Sequence, residues 1–349
     1  MNKCVKIKDR YIGEGHPCYI IAEMSANHAM DIENAIKIIH LAKESGADCI
    51  KIQTYTADTI TLNSRKECFM IRGGTWDGYN LHDLYKEAYT PWEWQGRLKE
   101  EADKIGIDFF SSPFDITAID FLEDIGIEFY KIASFELVDI PLIKYVASKG
   151  KPIIMSTGMG TLGEIEDAVN AVKSQGNNDL ILLKCSSAYP VIPSDMNIAT
   201  IRNLSEIFDL PAGLSDHSMG SIAAVTAVAL GAKVIEKHFC ISREIKNPDS
   251  TFSMEPHEFK QMVEDIRSAE RAIGKINYGP TEMEKPMTAY RKSIWIAEDI
   301  KKGEVFSEQN IRVVRPAKGL EPKYYQELLG RKSAGNFEEG TPLKWDMIV

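Results

Sequence analysis

The sequence predicts a closed (β/α)8, or TIM, barrel followed by a small β-rich C-terminal domain. Three observations carry this reading. Between residues 19 and 273, eight short apolar runs alternate with stretches of helical spacing, and such alternation builds a parallel sheet. Polar residues cluster after essentially every run: Glu23, Lys51, Gln53, Ser111, Ser112, Lys131, Ser134, Ser156, Thr157, Ser187, Ser215, His217 and His238. In a barrel all of these would line one mouth, the C-terminal strand face where such folds do their chemistry. Then Gly274, Gly279, Pro280 and Pro286 interrupt the rhythm. The expected layout is a barrel over 1–275, a linker over 276–292 and a small domain over 293–349. An open doubly wound sheet is the competing arrangement. No GxGxxG follows the first strand, which argues against its dinucleotide-binding form.

Residues 1–15 read as an irregular lead-in with a small hairpin around 13–15. The first strand, 19–24, leads to a helix over 31–45 with Ile32, Ala35, Ile36, Ile39 and Ala42 on one face, ended by Gly46. The second strand, 48–54, carries Lys51 and Gln53 at one parity, so both point the same way. A long excursion over 55–90 follows, rich in aromatics, glycine and charge. Such long loops tend to carry function; the plain alternative is a surface loop with a short helix over 81–88. Pro91 can open a helix that runs to 105. Strands at 107–112, 128–133, 152–156 and 180–185 then alternate with helices at 116–125, 140–148, 162–174 and 198–208.

The seventh and eighth strands lie in GLSDHSMGSIAAVTAVALGAKVIEKHF, residues 213–239. Between them runs a helix over 219–230, capped by Ser218 and stopped by Gly231. The last barrel helix spans 258–273, and the terminal segment reads as short strands and turns with a helix near 322–328. About sixty residues make a marginal core alone. That domain is expected to lean on the barrel or on a second subunit.

Composition bounds the partners. The chain has 349 residues, is 44% hydrophobic and 26% charged, and carries a net charge of −10, which suits a globular protein. No basic run stands out, so nucleic acid is not an expected partner. The longest apolar stretch, 221–235, is shorter than the roughly 20 residues that span a bilayer, and no apolar signal core opens the chain. No membrane partner is expected. Six scattered cysteines without a CxxC read as free, buried thiols in a reducing cytoplasm.

Two strand-end histidines, His217 and His238, fall at the same end of consecutive strands. Two neutral imidazoles there could hold a divalent metal; the plain alternative is a pair of satisfied polar residues. Lys51 and Lys131, with Ser112, Ser134, Ser156 and Ser215, favour an anion such as phosphate or carboxylate. Glu23 could act as an acid or base, or only as an ion-pair partner of a lysine. Together these describe a metal-assisted reaction of an anionic substrate.

Eight motifs in order resemble the sialic acid synthase family: IAEMSANH (21–28), KIQTYT (51–56), SSPFD (111–115), YKIASFE (130–136), STGM (156–159), SAYP (187–190), GLSDHS (213–218) and EKHF (236–239). KKGEVFSEQNIRVVRPAKGL (301–320) resembles that family's antifreeze-like, or SAF, domain. The resemblance implies a transferase that joins phosphoenolpyruvate to an acetamido-sugar aldehyde, forming a nine-carbon α-keto acid with C–O cleavage and phosphate release. It implies a divalent ion, Mn2+ or Mg2+ with Co2+ as a further choice, at His217 and His238, and Glu23 beside the reactants. Lys51, Ser112, Lys131, Ser134, Ser156, Ser187, Tyr189 and Ser215 match the phosphoenolpyruvate positions, and Asp249 a sugar-side acid. Gln53 joins them at the mouth by its parity. Ser187 stands where Asn is common, and NPDS around Asp249 departs from the usual GPD. Arg315 matches an arginine that the small domain lends to a partner's site, which implies a domain-swapped homodimer. The insert over 71–94 and the YKIASFE and KHF forms are nearest the branch that uses 2,4-diacetamido-2,4,6-trideoxy-L-altrose. Branches using N-acetylmannosamine or the legionaminate precursor are the alternative, and a non-catalytic sugar- or anion-binding protein is a more distant one.

Overall fold

The structure, a computed structural model, describes residues 4–349; the first three residues of the predicted lead-in lie outside these. The chain divides into two compact units, Met1–Gly274 and Lys275–Val349, each with its own apolar cluster. Among the described residues no helix is long and apolar enough to cross a membrane. All six cysteines are free, but Cys68 is exposed and Cys4 only half-buried, so not every thiol is hidden as expected.

The first unit opens with an antiparallel hairpin, β1 (Cys4–Ile7) and β2 (Arg10–Gly13). Its turn falls at Lys8 and Asp9, not at 13–15. Lys8 takes the left-handed conformation that the tight reversal needs, with φ 51°. Eight parallel strands follow: β3 (Tyr19–Glu23), β4 (Cys49–Thr54), β5 (Asp108–Pro113), β6 (Tyr130–Ile132), β7 (Ile153–Ser156), β8 (Leu180–Cys185), β9 (Ala212–Asp216) and β10 (Val234–His238). They pair in sequence order and close as a barrel, with β10 against β3 from Val234↔Tyr19 to His238↔Glu23. The open sheet is thereby excluded.

Every barrel strand is buried along nearly its whole length, as expected of strands covered on both faces. Parity then decides what each residue meets. On β10, Val234, Glu236 and His238 share one face, while Ile235 and Lys237 share the other. Lys51 Nζ on β4 comes within 3.5 Å of Glu236 Oε1, although β3 lies between the two strands. Only side chains pointing into the barrel can meet that way. Lys237 therefore points outward. It pairs with the outward Asp216 at 2.7 Å, both side chains being buried, and donates to the carbonyls of Ser218 and Gly220.

That outward network explains a shifted helix start. The helix between β9 and β10 spans Ile222–Ala229 rather than 219–230. The Ser218 hydroxyl donates to Asp216 at 2.7 Å instead of capping the helix. Gly220, with φ 75°, then holds the chain out of helical conformation until Ser221. The helix predicted over 81–88 is present as Leu81–Ala88, with Asn80 accepting from the His82 amide at its start.

The second unit pairs β11 (Ser293–Ile296) with β12 (Ile311–Val314) antiparallel. Ile294, Ile296, Ile300, Phe306, Ile311 and Leu328 are its buried centre. The helix expected near 322–328 is a 3-10 turn, Pro322–Tyr324, running into one α-turn, Tyr325–Leu328.

Candidate active site

Strand ends β3 to β10 bring Glu23, Lys51, Ser112, Lys131, Ser156, Ser215, Glu236 and His238 to one mouth of the barrel, with His217 in the residue after β9. All are buried. Lys51 forms an ion pair with Glu23 at 2.7 Å, reaches Glu236 at 3.5 Å, and lies 3.5 Å from the Ser112 hydroxyl. Gln53 donates to Glu23 at 2.9 Å and to Ser25 at 3.0 Å. Lys131 donates to the Ser156 hydroxyl at 2.6 Å and to its neighbour's carbonyl, Ile132 O, at 3.0 Å. Ser215 donates to Glu236 at 3.3 Å.

The four charges are balanced, two lysines against two glutamates, and burial sets how firmly each holds its charge. Burial would neutralise Lys51, but Glu23 and Glu236 overcome that and raise it above its usual value. Lys131 is lowered, chiefly by burial, because its nearest partners are a hydroxyl and a carbonyl. Glu23 is raised by burial despite Lys51. Glu236, flanked by Lys131 and Lys51, is lowered against the same burial and stays a carboxylate.

The loops after β6, β7 and β8 add the next ring. Ser134 accepts from the Gly158 amide at 3.2 Å. A Cβ at Gly158 would come within 2.4 Å of the Ser187 hydroxyl and 2.6 Å of the Ser134 hydroxyl. Both serines therefore crowd this glycine. Cys185 Sγ lies 3.8 Å from Ser187 Oγ and 3.9 Å from His217 Nδ1. Burial raises the cost of charging either partner, yet they favour the ion pair: the thiol is lowered to about 6 and the imidazole is raised.

His217 and His238 face each other with ring centroids 5.4 Å apart. His217 Nδ1 lies 3.1 Å from Ser186 O, and a carbonyl can only accept, so Nδ1 carries the proton and Nε2 is turned to other work. His238 Nδ1 is buried with no hydrogen-bond partner, and burial holds this imidazole well below its usual range, hence neutral. An orphaned buried nitrogen of this kind calls for a partner. Asp249 Oδ2 is 4.0 Å from it, too far to bond; Asp249 instead accepts from the Ala26 amide at 3.3 Å. Among the described residues no group of three or more His, Cys, Asp or Glu side chains could hold a metal ion. What the mouth offers an ion is therefore only the two facing imidazoles and the orphaned His238 nitrogen, a set that would leave most of its positions open. Its arrival would displace protons from His217.

Three site residues escaped the sequence reading. Glu236 was legible by parity, two residues before His238. Phe252 lies at 5.0 Å from His238 and 5.1 Å from Tyr189 between ring centroids. Trp76, from the tip of the long excursion, lies 5.2 Å from Tyr189. Tyr189 in turn lies tilted against His217, with ring centroids 4.3 Å apart. Lys237, by contrast, is excluded from the site by its outward pairing. Arg315 belongs to the second unit, where it is exposed.

A closed parallel barrel with lysines, carboxylates and paired imidazoles at its C-terminal mouth defines a (β/α)8-barrel enzyme acting on an anionic substrate. The chain belongs to the NeuB family, whose model matches residues 38–278, and it ends in a SAF domain over residues 291–349. It is 49% identical over 326 residues to pseudaminic acid synthase of Campylobacter jejuni, spanning 93% of this chain and 95% of that protein. Identity to the pseudaminic acid synthase of Helicobacter pylori is 45% over 336 residues, 95% of this chain and 98% of the relative. The N,N'-diacetyllegionaminic acid synthase of Legionella pneumophila is 36% identical, with 96% of each chain covered. Among solved structures, an N-acetylneuraminic acid (sialic acid) synthetase from Leptospira borgpetersenii, in complex with citrate, superposes with a TM-score of 0.74 at 32% identity, covering 82% of this chain and 95% of that one.

Proposed function

We propose that this protein is a pseudaminic acid synthase. It condenses phosphoenolpyruvate with 2,4-diacetamido-2,4,6-trideoxy-L-altrose and water, giving pseudaminic acid and phosphate. The observation that carries the reading is the buried mouth itself: two lysines with hydroxyls at the β4 to β7 side and two imidazoles at the β9 and β10 side, in a chain 45–49% identical to pseudaminic acid synthases.

Lys51, Lys131 and the hydroxyls of Ser112, Ser134, Ser156, Ser187 and Ser215 hold the phosphate and carboxylate of phosphoenolpyruvate. Its C3 attacks the aldehyde carbon of the open-chain sugar, water adds at C2, and the C2–O bond breaks as phosphate leaves. His217 and His238 would hold a divalent ion, Mn2+, Mg2+ or Co2+, which supplies Lewis-acid polarisation. Glu23, raised by burial, exchanges a proton at its carboxyl with the reacting oxygens. Gln53 fixes the rotamer of Glu23. Asp249, also raised by burial, faces the sugar side.

The test is a sugar panel. Purified protein with phosphoenolpyruvate and Mn2+ should release phosphate only when sugar is present, and fastest with the altrose sugar. Faster turnover of N-acetylmannosamine or the legionaminate precursor would reassign it to those branches.

Gly158→Ala should raise the phosphoenolpyruvate KM by about tenfold, because the new methyl displaces the Ser187 and Ser134 hydroxyls and presses on the Ser134 Cβ at 3.0 Å. An unchanged KM would remove Ser134 and Ser187 from the phosphate site.

The active form is read as a cytoplasmic homodimer in which Arg315 serves the partner's site. Arg315→Ala should then depress turnover, and mixing it with a barrel-dead variant should restore part of the activity. No complementation in the mixture would assign the site to a single chain.

A further inference from the structure

We infer that Trp76 is a specificity-determining wall of the sugar subsite, selecting a 4-acetamido, 6-deoxy sugar by its apolar surface. The inference rests on the reading above and names what the long excursion contributes to it. Residues 70–80 form a small hairpin: Met70 bridges Asn80, and the Ile71 amide donates to Tyr79 O at 2.8 Å. Gly73, Gly74 and Gly78, at φ 77°, 75° and 85°, shape its tip. Asp77 accepts from the Gly73 amide at 2.6 Å and locks that tip.

The tip is then pinned to two mouth loops far away in sequence. Thr75 donates through its hydroxyl to Tyr189 O, after β8. The Trp76 indole N–H donates to Pro248 O, after β10, at 2.9 Å. Its ring lies 5.2 Å from Tyr189 and edge-on at 6.1 Å from Phe252. Those two rings contact His217 and His238 respectively. Trp76 thus continues an unbroken aromatic wall from the imidazole pair outward. It is half-buried, so part of the ring is left uncovered by protein.

The indole has one polar group, and Pro248 takes it. What the ring can still offer is apolar surface, the means by which aromatic side chains recognise C–H-rich faces. An acetamido methyl or a C6 methyl presents such a face; a hydroxymethyl presents it poorly. Apolar contact of this kind discriminates by about 10- to 200-fold per group.

The experiment measures sugar and phosphoenolpyruvate KM values, by phosphate release, for the full-length enzyme, Trp76→Phe and Trp76→Ala, with the altrose sugar and N-acetylmannosamine. Trp76→Ala should raise the altrose-sugar KM about tenfold or more, leave the phosphoenolpyruvate KM within about twofold, and narrow the preference between the two sugars. Trp76→Phe should restore most of the preference. A Trp76→Ala enzyme with both KM values unchanged would overturn the inference. So would parallel rises in both with a lowered Tm, which would make Trp76 only a loop fastener. If the unmodified enzyme releases phosphate with neither sugar, the parent reading falls and takes this one with it.

Discussion

His238→Ala and His217→Ala should each cut turnover by about a hundredfold or more, given the about 10- to 100-fold seen when even the residues behind a metal ligand are lost. The fold should survive, because His238 Nδ1 has no hydrogen bond to give up and His217 gives up only contacts at the mouth, to Ser186 O, Cys185 and the Tyr189 ring. The measurement pairs phosphate release with direct Mn2+ titration of the chelator-treated protein. Loss of both activity and stoichiometric Mn2+ binding at an unchanged Tm is the expected result. Retained turnover in either variant would sink the metal assignment, and lost turnover with intact ion binding would leave these imidazoles a substrate role instead.

Lys237→Met has the second large effect, and it falls on stability rather than chemistry. The ammonium lies outside the barrel wall, buried against Asp216 at 2.7 Å, with the Ser218 and Gly220 carbonyls completing its hydrogen bonds. Methionine fills the same volume but leaves the Asp216 carboxylate buried without its counter-charge. Breaking one side of such a pair costs about 3–5 kcal/mol. Denaturant unfolding should show that loss, and Asp216→Asn in the Lys237→Met background should recover part of it. A midpoint unchanged by Lys237→Met would mean that Asp216 reaches water.

The barrel was legible because each strand is a short apolar run closed by polar residues, and parallel strands buried on both faces leave that trace. The imidazole pair was legible for a simpler reason: consecutive strands put their ends side by side. What the residues hid is contact between distant loops. Nothing local in RGGTWDG announces that Trp76 meets Pro248 and Tyr189. Glu236 was legible by parity with His238, and barrel closure shows that this shared face is the inner one, with Lys237 outside. The misplaced helix start has the same root, since Ser218 could not cap a helix while serving Asp216.

The register His238↔Glu23 also sets a schedule for synthesis. The last barrel strand to be made seals the first, across more than two hundred residues of chain. Until residue 238 has left the ribosome, the growing sheet has two raw edges able to pair with other chains. No shorter nascent piece holds both imidazoles, so partial chains have hazard without activity. Seam and reaction centre are the same place, so closing the sheet and bringing the imidazole pair together are one event.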